Sequence, residues 1–171
     1  KALEFYQLSL KINQEIGDKK GIAPVISTIG SLYYSQGDYP KSLEYYQRGL
    51  KIYEEIGEKK GRAPVISNIG SIYHNQGDYP KALEYYQRSL KIHEEIGNKK
   101  RSAPVISNIG SIYYSQGEHD KALEYYQRGL KIRKEIGDKR GIAFTMGNIG
   151  NVYKTKGNNT KALEYYQRSW K

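Results

Sequence analysis

"ISNIGSIY" at Ile66–Tyr73 recurs verbatim at Ile106–Tyr113, and near-copies stand at "ISTIGSLY" (Ile26–Tyr33) and "MGNIGNVY" (Met146–Tyr153). The chain is 27% charged, yet none of these four segments carries a charge. Ile66, Ile69, Gly70 and Tyr73 fall at i, i+3, i+4 and i+7, the spacing of one face of an α-helix. Ser67, Asn68, Ser71, His74 and Asn75 lie off that face. Ser and Asn side chains compete for backbone hydrogen bonds, so they are poor residues for a helix interior. A helix face that is merely solvated carries Glu, Lys, Gln or Ala. The polar side of this helix therefore calls for a second reason.

The rest of the chain is built on the same period. "KALEYYQRSLKI" at Lys81–Ile92 returns as "KSLEYYQRGLKI" from Lys41, "KALEYYQRGLKI" from Lys121 and "KALEYYQRSWK" from Lys161. "KALEFYQLSLKI" opens the chain at Lys1, so each copy starts 40 residues after the last. No linker or low-complexity stretch interrupts the series, which reads as one continuous array. The spacing predicts two helices per unit. The first starts near Ala63, with Pro64 in its first turn, and ends where Gly77 can take the left-handed conformation. The second is opened by Pro80 and closed by Gly97, with Ala82, Leu83, Tyr86, Leu90 and Ile96 as its apolar stripe and Glu84–Arg88 as an i, i+4 pair. Gly70, mid-helix, is expected to admit close approach of the paired helix. Units this small cannot bury an apolar face alone and stack on their neighbours.

The run Ile66, Ile69-Gly70, Tyr73, then Ala82 and Tyr86 resembles the tetratricopeptide repeat: a large apolar residue, an apolar-Gly pair, Tyr, then Ala and an aromatic. It departs from the common form in three places. Ile26, Ile66, Ile106 and Met146 stand where the leading Trp belongs, the closing Pro is missing, and the period is 40 rather than about 34. The 40-residue form is similar to the repeats of kinesin light chains, spindle-orientation adaptors and many bacterial signalling proteins. The resemblance implies an all-α fold, a right-handed α-solenoid of antiparallel helix pairs forming one superhelix over residues 1–171. Residues 1–20 would be an orphan second helix, followed by repeats at 21–60, 61–100, 101–140 and 141–171, the last truncated. The chain reads as a piece of a longer protein.

The resemblance also implies a function. Relatives of this type capture peptides or partner domains on a concave groove lined mainly by first helices. The groove would be formed by Ser27, Thr28, Ser31 and Tyr34; Ser67, Asn68, Ser71, His74 and Asn75; Ser107, Asn108, Ser111 and Tyr114; and Asn148, Asn151 and Lys154. Asn68, Asn108 and Asn148 share one slot with Thr28, and an amide both donates and accepts, which suits an extended backbone. In kinesin light chains and their relatives an asparagine in the matching slot contacts cargo peptide. The competing reading is that small residues only let neighbouring first helices pack. The slot at His74 is Tyr34, Tyr114 and Lys154 elsewhere, and Asn75 is Ser35, Ser115 and Thr155, while core slots hardly change.

The balance of charge permits a different partner. Lys and Arg total 28 against 18 Asp and Glu, a formal net charge of +10. "DKK" (Asp18–Lys20), "EKK" (Glu58–Lys60), "NKKR" (Asn98–Arg101) and "DKR" (Asp138–Arg140) are placed in the turn after each second helix, where stacking would align them along one edge. An acidic partner or nucleic acid held there is the alternative function. Tyr33, Tyr46, Tyr73, Tyr86, Tyr113, Tyr126, Tyr153 and Tyr166 sit at family core slots and read as packing rather than base-stacking residues.

Other chemistry finds little footing. His74, His93 and His119 are too far apart for a local metal motif, no nucleophile–base set is suggested, and "GNIG" at Gly147–Gly150 lacks the following Lys-Ser/Thr of a phosphate loop. The expectation is a non-enzymatic module without metal or cofactor. The absence of cysteine fits a reducing, cytoplasmic compartment. No apolar run approaches the ~18 residues of a membrane helix. The ends should be adhesive: Leu3, Tyr6 and Leu10, with Trp170 at the other terminus, are expected to mediate end-to-end self-association.

Overall fold

The structure is a computed structural model and describes residues 2–169. Among these it is all-helical: α1 (Ala2–Glu15), α2 (Lys19–Ser35), α3 (Tyr39–Glu55), α4 (Lys59–Asn75), α5 (Tyr79–Glu95), α6 (Lys99–Ser115), α7 (His119–Glu135), α8 (Lys139–Thr155) and α9 (Asn159–Ser169). Two compact units can be distinguished, residues 1–92 and 93–171, the division falling near the end of α5.

The helix ends come from a three-residue turn used again and again. Gly37 takes φ +77° and Gly77 the same, a region that favours glycine because it has no Cβ. The Asp78 N–H donates to the Tyr73 carbonyl at 2.9 Å and the Gly77 N–H to that of His74 at 3.0 Å, which closes α4. Asp78 then begins α5. Its carbonyl accepts from Ala82 N–H at 3.0 Å, and its Oδ1 accepts from Lys81 N–H at 3.2 Å. Left-handed glycines follow one another 20 residues apart, from Gly17 to Gly157, so the helices between them, α2 to α8, all have the same length.

First helices begin earlier than their prolines suggest. α2, α4 and α6 start at Lys19, Lys59 and Lys99, leaving Pro24, Pro64 and Pro104 inside them. Glu58 caps α4 by accepting from Lys60 N–H, and Asn98 caps α6 by accepting from Arg101 N–H. The basic clusters thus belong to N-caps and first helical turns, not to turns between helices. Cations at a helix N-terminus oppose the macrodipole. Lys19 at the start of α2 is answered by Glu55 at the end of α3, 2.8 Å away, and Lys99 on α6 by Glu135 at the end of α7, 2.9 Å away.

The core is wider than one helical face. In α4, Ile66 packs with Ala63 and Ile92, while Val65, Ile69 and Ile72 pack with Tyr46 and Tyr53 of the preceding helix α3. The first helix is sandwiched, so Val65 and Ile72 join Ile66 and Ile69 in the interior. The tyrosines divide into two groups. Tyr46, Tyr86 and Tyr126 are buried. Tyr33, Tyr73, Tyr113 and Tyr153 are only half-buried and stack on Tyr45, Tyr85, Tyr125 and Tyr165 at centroid distances of 5.4–5.5 Å. Lys81 covers the Tyr73 ring and Arg88 the Tyr85 ring, closing the stack from both sides.

The terminal helix departs from expectation. Leu10 is buried on α2, with Leu3 and Tyr6 packed beside it. The solvent-facing apolar stripe of α1 is Phe5, Leu8 and Ile12 instead, with exposed Ile16 just past its end. Trp170 lies outside the described residues.

Close approach is decided by glycine. A Cβ at Gly110 would meet the Tyr126 ring at 2.9 Å, and the ring is held by burial. At Gly147, also mid-helix, a Cβ meets nothing within 4 Å. Gly110→Ala is therefore expected to destabilise by about 1–3 kcal/mol despite better helix propensity. Gly147→Ala is expected to stabilise by up to about 1 kcal/mol. Thermal unfolding of the two variants beside the parent checks the opposite signs.

Candidate functional site

The first-helix side chains named from the sequence do not all face solvent. Ser31, Ser71 and Ser111 hydrogen-bond the phenols of Tyr46, Tyr86 and Tyr126 at 2.9, 3.0 and 3.0 Å, and Asn151 Oδ1 accepts from the Tyr166 hydroxyl at 2.7 Å. Each ties a first helix to its own second helix. Ser27 and Ser107 donate to the carbonyls of Ala23 and Ala103 four residues back, and Ser107 is buried. Ser67 is half-buried, and its carbonyl accepts from the Ser71 hydroxyl. Thr28 donates to Pro24 O at 2.9 Å.

What remains open is a narrower strip within each unit. Thr28, Asn68, Asn108 and Asn148 are half-buried, with Ser35, Asn75, Ser115 and Thr155 exposed a few turns on. A small pocket of about 60 Å³ is lined by Tyr34, Tyr46, Asn68 and Ser71. Burial raises the Tyr46 phenol pKa, and hydrogen bonding with Ser31 and Asn68 opposes that shift. Asn68 thus braces a core tyrosine while presenting part of its amide outward. Phe144 belongs to the same row as Pro24, Pro64 and Pro104 and is 62% exposed. It was missed in the sequence because it departs from the repeat, which was itself the signal.

The variable slots bridge neighbouring repeats. Asn75 Nδ2 donates to the Tyr34 hydroxyl at 2.8 Å and the Tyr39 hydroxyl at 3.2 Å. In the second unit the Tyr114 hydroxyl meets Thr155 Oγ1 at 2.9 Å. The rings of His74 and Tyr79 lie 5.8 Å apart, and those of Tyr114 and His119 5.7 Å apart. Lys154 is exposed.

The basic edge is mixed in charge. A crevice of about 520 Å³ is lined by Lys20, Lys60, Pro24, Ile56 and Glu58, among others. Its counterpart of about 750 Å³ is lined by Lys100, Arg101, Pro104, Ile136, Asp138 and Asn98. Among the described residues no group of three or more His, Cys, Asp or Glu side chains could hold a metal ion. No helix among them is long and apolar enough to cross a membrane.

Two buried cationic or titratable groups stand out. Arg133 donates to the Gly141 carbonyl at 2.9 Å and to Thr145 Oγ1, and burial lowers its pKa against the pull of Asp138. His93 is buried, which lowers its pKa below 6.5, with nearby Arg101 adding to the shift. Above about pH 6.5 the imidazole is neutral in both folded and unfolded chains. As pH falls through that value, the unfolded chain takes up a proton that the folded chain resists, so stability falls. The carboxylates held low by lysine hydrogen bonds, such as Asp38 and Glu135, titrate below about pH 4.5 and leave this window clear. Urea unfolding between pH 7.5 and 5 is expected to show the loss, and His93→Gln to reduce it. Equal slopes for parent and variant would refute the assignment.

Comparison with known proteins places this geometry in a family. The tetratricopeptide repeat family model matches residues 1–55, 62–135 and 101–169. No curated protein matches the chain. The crystal structure of BtubC (BKLC) from P. vanneervenii is similar at TM-score 0.89 and 28% identity, over 97% of this chain and 69% of that one. A Rap protein complexed with Competence and Sporulation Factor is similar at TM-score 0.78 and 17% identity, over 98% of this chain and 57% of the other. The chain therefore spans little more than half of that Rap protein. A crystal structure of a Podosopora anserina putative kinesin light chain with nearly identical TPR-like repeats gives TM-score 0.78 at 12% identity, over 98% of this chain and 83% of that one. With a match running through nearly all of its length, the chain belongs to the tetratricopeptide repeat family.

Proposed function

We propose that the open strip on the first helices of each unit binds an extended segment of a partner protein. The tetratricopeptide array is a protein–protein interaction module; the finer reading concerns which face does the binding. The observation that carries it is the strip itself: half-exposed amides and hydroxyls, uncharged on α2 and α6, on helices otherwise sandwiched in the core. Such groups match peptide N–H and C=O, each bond contributing about 0.5–1.5 kcal/mol net. Phe144, exposed on α8 four residues before Asn148, supplies an apolar anchor beside it. The Rap protein complexed with Competence and Sporulation Factor gives the fold a precedent for holding a partner.

The rival reading places an acidic partner or nucleic acid on the basic edge. Lys99 is engaged by Glu135, and Glu58 and Asp138 stand in the crevice walls, so a polyanion would meet like charge there.

The test begins with a peptide selected from a displayed library and titrated against variants. Asn68 is left in place because it also braces Tyr46, and Asn108 and Asn148 are the amides varied. Replacing both with Ala is expected to weaken binding roughly 5- to 100-fold with the fold retained. Phe144→Ala should weaken it further. Lys60→Ala with Lys100→Ala should change it little. Normal binding by the asparagine variants, beside steep salt dependence and loss in the lysine variants, would overturn the proposal.

A further inference from the structure

The pocket of about 60 Å³ between Tyr34, Tyr46, Asn68 and Ser71 lies within one unit, residues 1–92, and each of its walls is held in place. Tyr46 is 1% exposed, and its ring lies against Gly30, where an added Cβ would meet it at 2.9 Å, so it has no room to withdraw. Its hydroxyl bonds Ser31 at 2.9 Å and also bonds Asn68. The Ser71 hydroxyl is tied to the Tyr86 phenol at 3.0 Å and to the Ser67 carbonyl at 3.2 Å. The Tyr34 hydroxyl accepts from Asn75 Nδ2 at 2.8 Å, and the Tyr34 and Tyr39 rings lie 5.7 Å apart. Tyr34, Asn68 and Ser71 are half-buried and reach the surface, while Tyr46 is the floor.

Fixed walls make volume the criterion for a guest, because a tightly packed site yields only at a cost. A water molecule takes about 30 Å³, so the pocket has room for roughly two non-hydrogen atoms. The methyl of alanine and the hydroxymethyl of serine fit. Valine and threonine already exceed the space, and leucine or an aromatic ring exceeds it further.

We infer that this pocket selects the partner segment by size, given that the strip binds such a segment as proposed above: it takes the side chain of one alanine or serine and refuses a larger one. Successive side chains of an extended chain point to opposite sides, so one residue faces the pocket and its immediate neighbours do not. The second unit supplies a contrast. Tyr114, Tyr126 and Asn148 repeat three of the walls, but Asn151 stands at the place of Ser71. Asn151 accepts from Tyr166 where Ser71 meets Tyr86, with a bulkier side chain in the same slot. The selection therefore belongs to residues 1–92.

The probe is a displayed library of short random peptides, sorted on the whole chain and in parallel on Ser71→Asn. The fourth repeat carries asparagine at this slot, so the variant is expected to fold. The parent should enrich alanine or serine at one fixed position, and Ser71→Asn should lose that enrichment. In titrations of an enriched peptide, leucine at that position should weaken binding at least tenfold. Glycine there should weaken it about fourfold, the effect of one methyl left out of the pocket. Ser71→Ala widens the pocket and should reduce the penalty for valine, which keeps the test in hand should Ser71→Asn not fold. The side-chain amide resonances of Asn68 report whether the peptide lies on this part of the strip. No enriched peptide, or peptides that leave those resonances unmoved, would sink the binding proposal for this unit and the size selection with it. Peptides that move them yet tolerate leucine at every position, or show the same preference on the Ser71 variants, would overturn the size selection alone; that is the pattern of a pocket that only holds water.

Discussion

A tyrosine ring lying on a bare stretch of helix backbone is the contact on which the other contacts depend. Tyr46, Tyr86, Tyr126 and Tyr166 each approach a glycine, respectively Gly30, Gly70, Gly110 and Gly150, closely enough that a Cβ would meet the ring at 2.6–3.0 Å. That proximity puts the phenol within reach of the residue after the glycine, so every pair gains a hydrogen bond from the same residues that set its spacing. Glycine in mid-helix is unfavourable by about 1 kcal/mol relative to alanine. Burial of a whole aromatic side chain outweighs that several-fold.

Once the pairs are set, each first helix is packed from two directions. This answers why the stretch after its first turn, Ala63 to Gln76 in the second copy, carries no charge. Ile66 serves its own pair, while Val65, Ile69 and Ile72 serve the preceding one, and a lysine or glutamate would be trapped at most positions around the helix. Serine is tolerated because its hydroxyl can turn back to the carbonyl four residues earlier, as Ser27 and Ser107 do. The residues with freedom to meet a partner are those few that the sandwich leaves uncovered.

Much of this was legible in the sequence for local reasons. The period, the left-handed turn at Gly77 and the close approach at Gly70 each follow from a residue whose own chemistry narrows the options. What was not legible depended on a neighbouring repeat or on a second signal of equal strength. Pro64 suggested a helix start, but the cap at Glu58 lies six residues earlier, and a proline late in the second turn forfeits only the bond to one carbonyl. Ile72 looked peripheral because its partners belong to the preceding pair. In α1 two apolar stripes compete, and the spacing alone did not say that Leu3, Tyr6 and Leu10 rather than Phe5, Leu8 and Ile12 would be covered. Ser71 and Tyr86 recur 15 residues apart in every copy, with Asn151 and Tyr166 in the last; that co-recurrence was the available sign of their bond. As for the candidate strip, its neutrality could be read directly, whereas the half of it turned inward could not.

The bonds that join one repeat to the next, Tyr34 to Asn75 and Tyr114 to Thr155, span only 41 residues of chain. Contacts of such short sequence separation close small loops, and proteins dominated by them fold rapidly. A helix leaving the ribosome would find its packing partner among residues made a moment before, without waiting for a distant segment. Growth of the array by whole repeats then adds length without adding a folding problem. The same property lets neighbouring copies drift individually, as His93 and Arg101 have, because each junction answers only to the helices beside it.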